Sequence, residues 1–317
     1  TLLASSAASD VYKRQVHRVA PARPETEFQR YDRNNRISPE FLEENILKAL
    51  AAGSRFVSLD EFLNKRHRGE SDPHDIVMTI DDGYKDIYQY AWPVFEKHRV
   101  PFTFYVASDF IEFGFDKCRR PELEGGQLAM DIIYKYEGFY FGGRNYPAQD
   151  LAGKAKCFDD LWKFFKRYKK FHPWASGKEL LNKLLAGHEL DFEGYRRRFV
   201  CTPNELKEMA ASPLCTIGSH GKSHRPLDKI FWKSNLQREF AYSKAYLEKI
   251  VGKPVVHFSY PYGNYCKRLD KPAKEYYRSA VAVANSLGKF GAEVGADDSD
   301  YCLPRIMLKQ DGLQRED

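Results

Sequence analysis

The chain has 317 residues, of which 43 % are hydrophobic and 30 % charged, with a formal charge of +6. That is enough to bury a sizeable core in one large α/β domain or two ordinary ones, and no apolar run approaches the roughly 20 residues that span a bilayer. So small a basic excess, with no nucleic-acid motif beside it, argues against a nucleic-acid partner. Cys118, Cys157, Cys201, Cys215, Cys266 and Cys302 have no C-x-x-C spacing, a pattern of buried, reduced thiols rather than of a disulfide framework or zinc knuckle.

The first stretch, "TLLASSAASDVYKRQ", shows no strand or helix period and no signal-peptide order, and does not begin with Met. Residues 1–15 are therefore expected to be a non-native, adaptor-like leader, with the native start and any targeting signal lost. Residues 16–317 are expected to form a single domain. Ser38 and Pro39 read as an N-cap and first helical position, with Phe41, Ile46, Leu47 and Leu50 as the apolar face. "RFVSLDEFL" predicts a strand and a short helix, "DIVMTID" a strand, "DIYQYAWPVFEKH" a helix in which Pro93 forces a kink or a shifted start, and "VPFTFYVASDFI" a strand. This is the rhythm of parallel strands with helices outside.

The rhythm stops at about 112–200, an expected insertion that is helical and basic. Phe158, Leu161, Trp162, Phe165 and Tyr168 share one helical face, and residues 151–200 hold 12 Lys and Arg against 6 Asp and Glu. Such a face suits solvent, or contact with an anionic glycan or membrane headgroups. The pattern resumes with "TPNELKEMAASP", where Thr202 and Glu205 form a capping box behind Pro203. Next come the strand "LCTIGSH", a helix from about Ser234 to Val251, "VVHFSYPYG", a helix near Lys271 to Tyr277, and the strands "SAVAVAN" and "YCLPRIML".

Two places concentrate chemistry. In "VMTIDDGYKD" an apolar strand ends in Asp81 and Asp82, neighbouring like charges that need a compensating cation if they are buried. In "IGSHGKSHRPL", His220 and His224 stand four apart just after a strand, a spacing that lets both imidazoles reach one metal. Both pairs fall at C-terminal strand ends, the face on which α/β sites form, and two His with one carboxylate leave coordination positions open. Successive residues of an extended segment point opposite ways, so Asp82 can turn to a metal while Asp81 acts as general base on water whose pKa the metal lowers toward 7. A non-haem iron site would use the same residue types, but its usual H-x-[DE] pair is absent in the right order. His67, His74 and His98 read as solvated, His172 and His188 have no nameable partner, and His257 reads as a core or supporting histidine.

"TIDDGYKD", "SHGKSH" and "FSYPYG", in that order, resemble the first three motifs of the polysaccharide deacetylase family (the NodB-homology, carbohydrate esterase family 4 enzymes). "VHRVAP", "ISPEFLEENI", "RFVSLDEFL" and "LPRIML" extend the resemblance over roughly residues 16–310, apart from the insertion. It implies an α/β fold, a distorted (β/α)7 barrel, and metal-dependent hydrolysis of the acetyl group on an N-acetylated sugar of a surface polysaccharide or its precursor. By the same resemblance Asp81 is the catalytic base; Asp82, His220 and His224 hold a divalent metal, zinc in the first place; and the backbone N–H of Tyr262 helps hold the oxyanion.

Two departures stand out. Ser259 occupies the place of the Arg that usually orients the base, leaving Arg305 in "LPRI" as the candidate replacement. The L-x-H motif that supplies the general acid is missing, and His17 in "VHRVAP" matches the N-terminal histidine that some members use instead. The alternatives are a catalytically impaired member that binds glycan, or an O-acetyl esterase or deformylase using the same site. The partner expected is the N-acetylated carbohydrate, and the expected location is cytoplasmic or membrane-peripheral, the 151–200 segment providing any contact with a membrane or anionic glycan.

Overall fold

The structure is a computed structural model and describes residues 13–21, 36–113, 129–130, 132–172, 177–283, 294 and 298–308. Its centre is seven parallel strands: β1 (Lys13–Val16), β2 (Asp75–Ile80), β3 (Phe102–Val106), β4 (Cys215–Ser219), β5 (His257–Ser259), β6 (Ser279–Val283) and β7 (Leu303–Met307). Their spatial order is β1-β7-β6-β5-β4-β3-β2, and β1 pairs with β2 as well as with β7, which closes the ring. The ring is uneven, for β4 and β5 meet through the single register pair Phe258 and Ser219. This is the distorted (β/α)7 barrel expected from sequence.

The period of two sorts the strand residues. Met78, Ile80, Phe102, Phe104, Val106, Ile217, Phe258 and Ala280 belong to the large core beneath the outer helices. Their alternates Val77, Tyr105, Val281 and Leu303 form a separate interior cluster with Val57, Leu59, Phe62 and Leu63. Helix α1 (Leu59–His67), started by Ser58 whose hydroxyl accepts from the Glu61 amide at 3.1 Å, thus contributes an apolar plug to the barrel interior. His257 is fully buried on β5, its Nδ1 2.8 Å from the Ser279 hydroxyl, consistent with the core role expected of it.

Several local expectations are met. Thr202 and Glu205 make the reciprocal capping bonds, at 2.7 and 3.2 Å, and a helix runs over Lys233–Val251. Pro93 sits in the first turn of a helix, Trp92–His98, that follows a π-helical turn at Ile87–Ala91. The backbone stays right-handed helical from Asp86 through Trp92, so the missing N–H and the ring of proline are accommodated by the wider π turn just before it rather than by a break. The described cysteines form no disulfide; Cys157, Cys201 and Cys215 are buried.

Other expectations are corrected. On the helix Pro39–Ala51 the buried positions are Leu42 and Ile46, while Leu47 and Leu50 are exposed. The stripe is centred on Leu42 and Ile46, with Phe41 and Ala49 packed partly buried beside them. "VPFTFYVASDFI" is a strand only to Val106; Ser108–Phe113 is a short helix, turned by the amides of Ser108 and Asp109 bonding to the carbonyls of Gly221 and Lys222. His98 is half-buried against Glu43 at 2.7 Å rather than solvated. Lys13–Gln15, placed in sequence with the leader, run as three of the four residues of β1; a four-residue strand is too short to declare itself by periodicity. Residues 1–12 lie outside the described residues.

The insertion has its own core, including Ile133, Phe158, Leu161, Phe165, Leu181 and Tyr195. The predicted helical face is present on Leu151–Phe171, with Phe158, Leu161 and Phe165 buried and Trp162 and Tyr168 packed beside them. A hairpin of Gly138–Phe141 and Arg144–Pro147, turning at Gly142 and Gly143, precedes it and was not expected. Lys154 is buried and donates to the carbonyls of Ile133, Tyr134 and Tyr136, so one of the segment's cations is used internally. Among the described residues no helix is long and apolar enough to cross a membrane.

Within the barrel the Tyr105 ring occupies the space that any side chain at Gly218 would need, since a Cβ there would lie 2.4 Å from Tyr105 Cδ1. Gly218→Ala is expected to cost about 1–3 kcal/mol by overpacking, read as a lowered urea midpoint at unchanged m-value. A midpoint equal to that of the parent would show that Tyr105 does not hold this place.

Candidate active site

The site is built where β2 and β4 end. Beyond Ile80 the chain carries Asp81 and Asp82, both buried. The Asp81 amide still bonds to the Val16 carbonyl of β1 at 3.1 Å, so its side chain keeps the inward direction of the strand. Asp82 leaves the strand with φ of 85°, and Gly83 follows at φ of 114° with Val106 and Ile111 side chains 3.2 and 3.3 Å from where a Cβ would be. The adjacent carboxylates therefore face different neighbours.

Asp81 faces a guanidinium. Arg305 of β7, fully buried, donates from its two terminal nitrogens to the two Asp81 oxygens at 2.8 and 2.5 Å. The same nitrogens donate to Thr79 Oγ1 at 3.1 Å and Ser259 Oγ at 2.7 Å, and the Ser259 hydroxyl lies 3.3 Å from Asp81 Oδ2. Burial pushes the Asp81 pKa up, but the charges of Arg305, His220 and His17 hold it below the ordinary value.

Asp82 faces the imidazoles. Its Oδ1 is 3.5 Å from His220 Nε2 and 3.3 Å from His224 Nε2, and one ligand atom from each of the three buried residues lies within 4.8 Å of the others. The opposite ring nitrogen of His220, Nδ1, is 2.8 Å from the Ser259 carbonyl. A carbonyl can only accept, so Nδ1 carries the proton, and in neutral His220 the Nε2 lone pair faces Asp82. A lone pair aimed at a carboxylate inside a barrel is repulsive without a cation between them. Burial works against the Asp82 carboxylate, yet the two histidines hold its pKa well below the usual range; burial likewise works against charge on His220, and Asp81 and Asp82 more than offset it. The donor set and its field fit a divalent metal.

The loop that carries both histidines is clamped from behind. Buried Glu239, on the helix Lys233–Val251, accepts from the backbone amides of Lys222 and Ser223 at 2.9 and 2.8 Å and from the Ser223 hydroxyl. Ser243, one turn on, donates to the Gly221 carbonyl at 2.9 Å. Sequence reading missed Glu239. The signal was there, since an acid falls on the stripe formed by Leu236, Phe240, Ser243 and Leu247.

Tyr262 is half-exposed, its ring 4.7 Å from that of His224, on a backbone turned to φ of 61° and followed by Gly263 at 66°. Of the four non-glycine residues with positive φ among the described residues, Asp82, His224 and Tyr262 are in this site. That conformation is costly for side chains with a Cβ, and such residues concentrate where function needs them. His17 follows β1 directly, partly buried, and bears electrostatically on both aspartates. Hence Asp81, Asp82, His220, His224, Tyr262 and His17 come from just beyond the C-terminal ends of barrel strands, and Arg305, the middle residue of β7, reaches the same mouth through its contact with Asp81.

A parallel barrel thus carries a buried Asp-His-His cluster at its C-terminal mouth, a donor set able to hold one metal ion. The sequence matches the family described as polysaccharide deacetylase over residues 68–130 and 157–281, and the chain belongs to that family. No curated protein matches it by sequence. Among solved structures it is similar to the Streptococcus pyogenes deacetylase PplD in complex with acetate (TM-score 0.60, 16 % identity, covering 94 % of this chain and 92 % of that one). It is also similar to IcaB from Ammonifex degensii (TM-score 0.58, 16 % identity, 96 % and 94 % covered). A third is a de-N-acetylase from Aggregatibacter actinomycetemcomitans (TM-score 0.55, 13 % identity, 94 % of each covered). At these identities the likeness is one of fold.

Elemental analysis after dialysis against zinc is expected to give about one divalent ion per chain, and the His220→Ala/His224→Ala variant is expected to lose it. Glu239→Gln should retain the fold and weaken metal binding by about 10- to 100-fold, the range for residues that orient ligands. Metal retained by the double variant would place the ion elsewhere.

Proposed function

We propose that this protein is a metal-dependent deacetylase that removes the acetyl group from an N-acetylated sugar of a surface polysaccharide or its precursor. The observation that carries the reading is the division of labour between the two aspartates: Asp81 lies against a guanidinium, and Asp82 against two imidazoles. Asp82, His220 and His224 would hold the cation, zinc being the first choice for such a donor set. When bound, it supplies Lewis acidity, acidifying water and polarising the acetyl carbonyl.

The chain's own groups supply the rest. Asp81 is ionised at neutral pH because Arg305 neutralises it. Arg305 takes one direction on each oxygen and leaves others open, since a carboxylate has about four accepting positions. Oδ2 faces the cluster, 3.7 Å from His220 Nε2, so a water held beside the cluster would be within reach of this carboxylate and could pass its proton to it. Arg305 does from β7 what an arginine in the third motif does elsewhere in the family, with Ser259 bonded to the same nitrogen. That arrangement answers one of the two departures that favour a catalytically impaired member. The Tyr262 N–H, on its left-handed turn beside His224, is proposed to donate to the oxyanion. His17 is proposed to protonate the departing amine, giving acetate and a free amino sugar.

The test is acetate release from soluble N-acetylglucosamine oligomers by the zinc-loaded protein. Asp81→Asn should keep its metal and lose about 10²–10⁴-fold in rate, the usual worth of a general base; a near-normal rate removes the assignment. Replacing His17 by Ala should slow turnover while sparing metal content, and an unchanged rate would leave it a packing residue. Wild-type protein that holds metal and releases acetate from no N-acetylated sugar would favour the glycan-binding alternative.

The pH profile gives a further test. Arg305 keeps the folded pKa of Asp81 low, so the active, deprotonated form persists as pH falls. In Arg305→Met the burial effect loses its largest opponent, Asp81 is protonated at higher pH, and the acid limb of kcat/KM is expected to move upward in pH. An acid limb that stays in place would mean that Asp81 is not the group titrating there.

A further inference from the structure

The two most exposed large apolar side chains among the described residues are neighbours, Phe231 at 88 % and Trp232 at 76 % of full exposure. They follow His224 by seven and eight residues, on the segment that leaves the mouth of β4. A soluble surface tolerates scattered apolar residues, but an adjacent phenyl and indole standing almost wholly in water is a feature to explain.

The pair is held out by the fold. Arg268 donates to the carbonyls of Leu227, Asp228 and Ile230 at 3.2, 2.7 and 2.7 Å, which fixes the chain just before Phe231. Leu227 and Ile230 are buried and anchor the segment from below. Trp232 is the N-cap of the helix Lys233–Val251, its carbonyl accepting from the Leu236 amide at 3.1 Å. The two rings therefore project from a braced corner. The corner also belongs to the site's rim, since the Asn264 amide reaches Asp228 at 3.5 Å across to the turn that bears Tyr262.

Charge says what the corner meets. From Arg225 to Arg238 the chain has four cations, Arg225, Lys229, Lys233 and Arg238, against one acid, Asp228. Asp228 is engaged with Lys229 at 3.1 Å and with Asn264. Exposed Lys267 and Lys271 lie on the segment that carries Arg268. Aromatic residues flanked by lysines match the boundary of an anionic bilayer, with rings at the level of the headgroups and ammonium groups on phosphates. A sugar-stacking shelf needs a ring lying against a wall with hydrogen-bonding neighbours, and a phenyl ring 88 % exposed has no such wall.

We propose that Phe231 and Trp232, with Lys229 and Lys233, dock the protein on an anionic membrane surface. Docking there turns the mouth of the barrel toward the bilayer. Resting on the deacetylase reading, this gives the enzyme access to glycan carried on lipid at that surface as well as to soluble oligomers.

The test sediments the intact protein with phosphatidylcholine vesicles made with and without phosphatidylglycerol. The expected result is at least about tenfold stronger partitioning onto the anionic vesicles, weakened by salt. Phe231→Ala/Trp232→Ala is expected to lose about tenfold or more of that binding while keeping the parent's thermal midpoint and its turnover of soluble oligomers. Lys229→Glu/Lys233→Glu, which leaves the rings in place, should reduce the anionic preference alone. Wild-type protein that stays in solution with anionic vesicles overturns the proposal, as does aromatic-variant protein that sediments like the parent. Loss of soluble-oligomer binding in the aromatic variant would make the corner a glycan shelf, and a dimer that it converts to a monomer would make it a self-contact; either result also overturns the proposal. Vesicle binding needs no turnover, so its failure is distinguishable from failure of the deacetylase reading.

Discussion

Two carboxylates on consecutive residues, both buried at the end of one strand, are held by attraction from opposite sides. Burial alone would protonate at least one of them. The barrel instead gives each its own positive partner: Arg305 in bidentate contact with Asp81, and the imidazoles of His220 and His224 around Asp82. Much of the local architecture follows from keeping those partners apart. The turn of Asp82 into the left-handed region separates the two side chains, Gly83 permits the sharp exit, and Ser259 serves both sides, its hydroxyl bonded to Arg305 and its carbonyl to His220. Removing one member of such a buried pair strands a charge, at a cost of about 3–5 kcal/mol, so site chemistry and stability rest on the same contacts.

The barrel is what makes this affordable in geometry. Parallel strands bring residues far apart in sequence to one mouth, and their alternation sends Thr79, Asp81, Ser259 and Arg305 inward while Met78, Ile80 and Phe258 pack under the helices. Beneath the polar layer the interior is filled by Tyr105, Val77, Val281 and Leu303 with helix α1. The site thus has a dry floor, which strengthens the electrostatics above it. Glu239 extends the same logic outward, for one buried carboxylate satisfies the amides of a loop that must hold two histidines in place.

What was legible in sequence depended on range. The Asp pair, the His pair and the third motif could be read because each is local and ends a strand, and Arg305 could be named because the empty place at Ser259 called for a cation. Glu239 showed only as an acid on an apolar stripe, and its role went unread because its partners are backbone amides on another segment. The apolar face of Pro39–Ala51 was misjudged by about a quarter turn, since Leu47 and Leu50 fit the helical period as well as Leu42 does and only the neighbouring elements decide. In the insertion, the hairpin at Gly142 and Gly143 was hidden by aromatic residues that suit either a strand or a helix face.

The seam of the ring lies between β1 and its two neighbours, and it joins Arg14 to Ile306, nearly the whole length of the described chain apart. Contacts of such separation form late, after the loop entropy between them has been overcome. The strands at that seam are also those that deliver Arg305 and His17. A chain folded everywhere but there would already have Asp82 beside its histidines and Arg305 tied to β6 and Ser259, yet His17 would not be delivered. Closing the ring therefore adds His17 to a mouth that the other strands have already furnished.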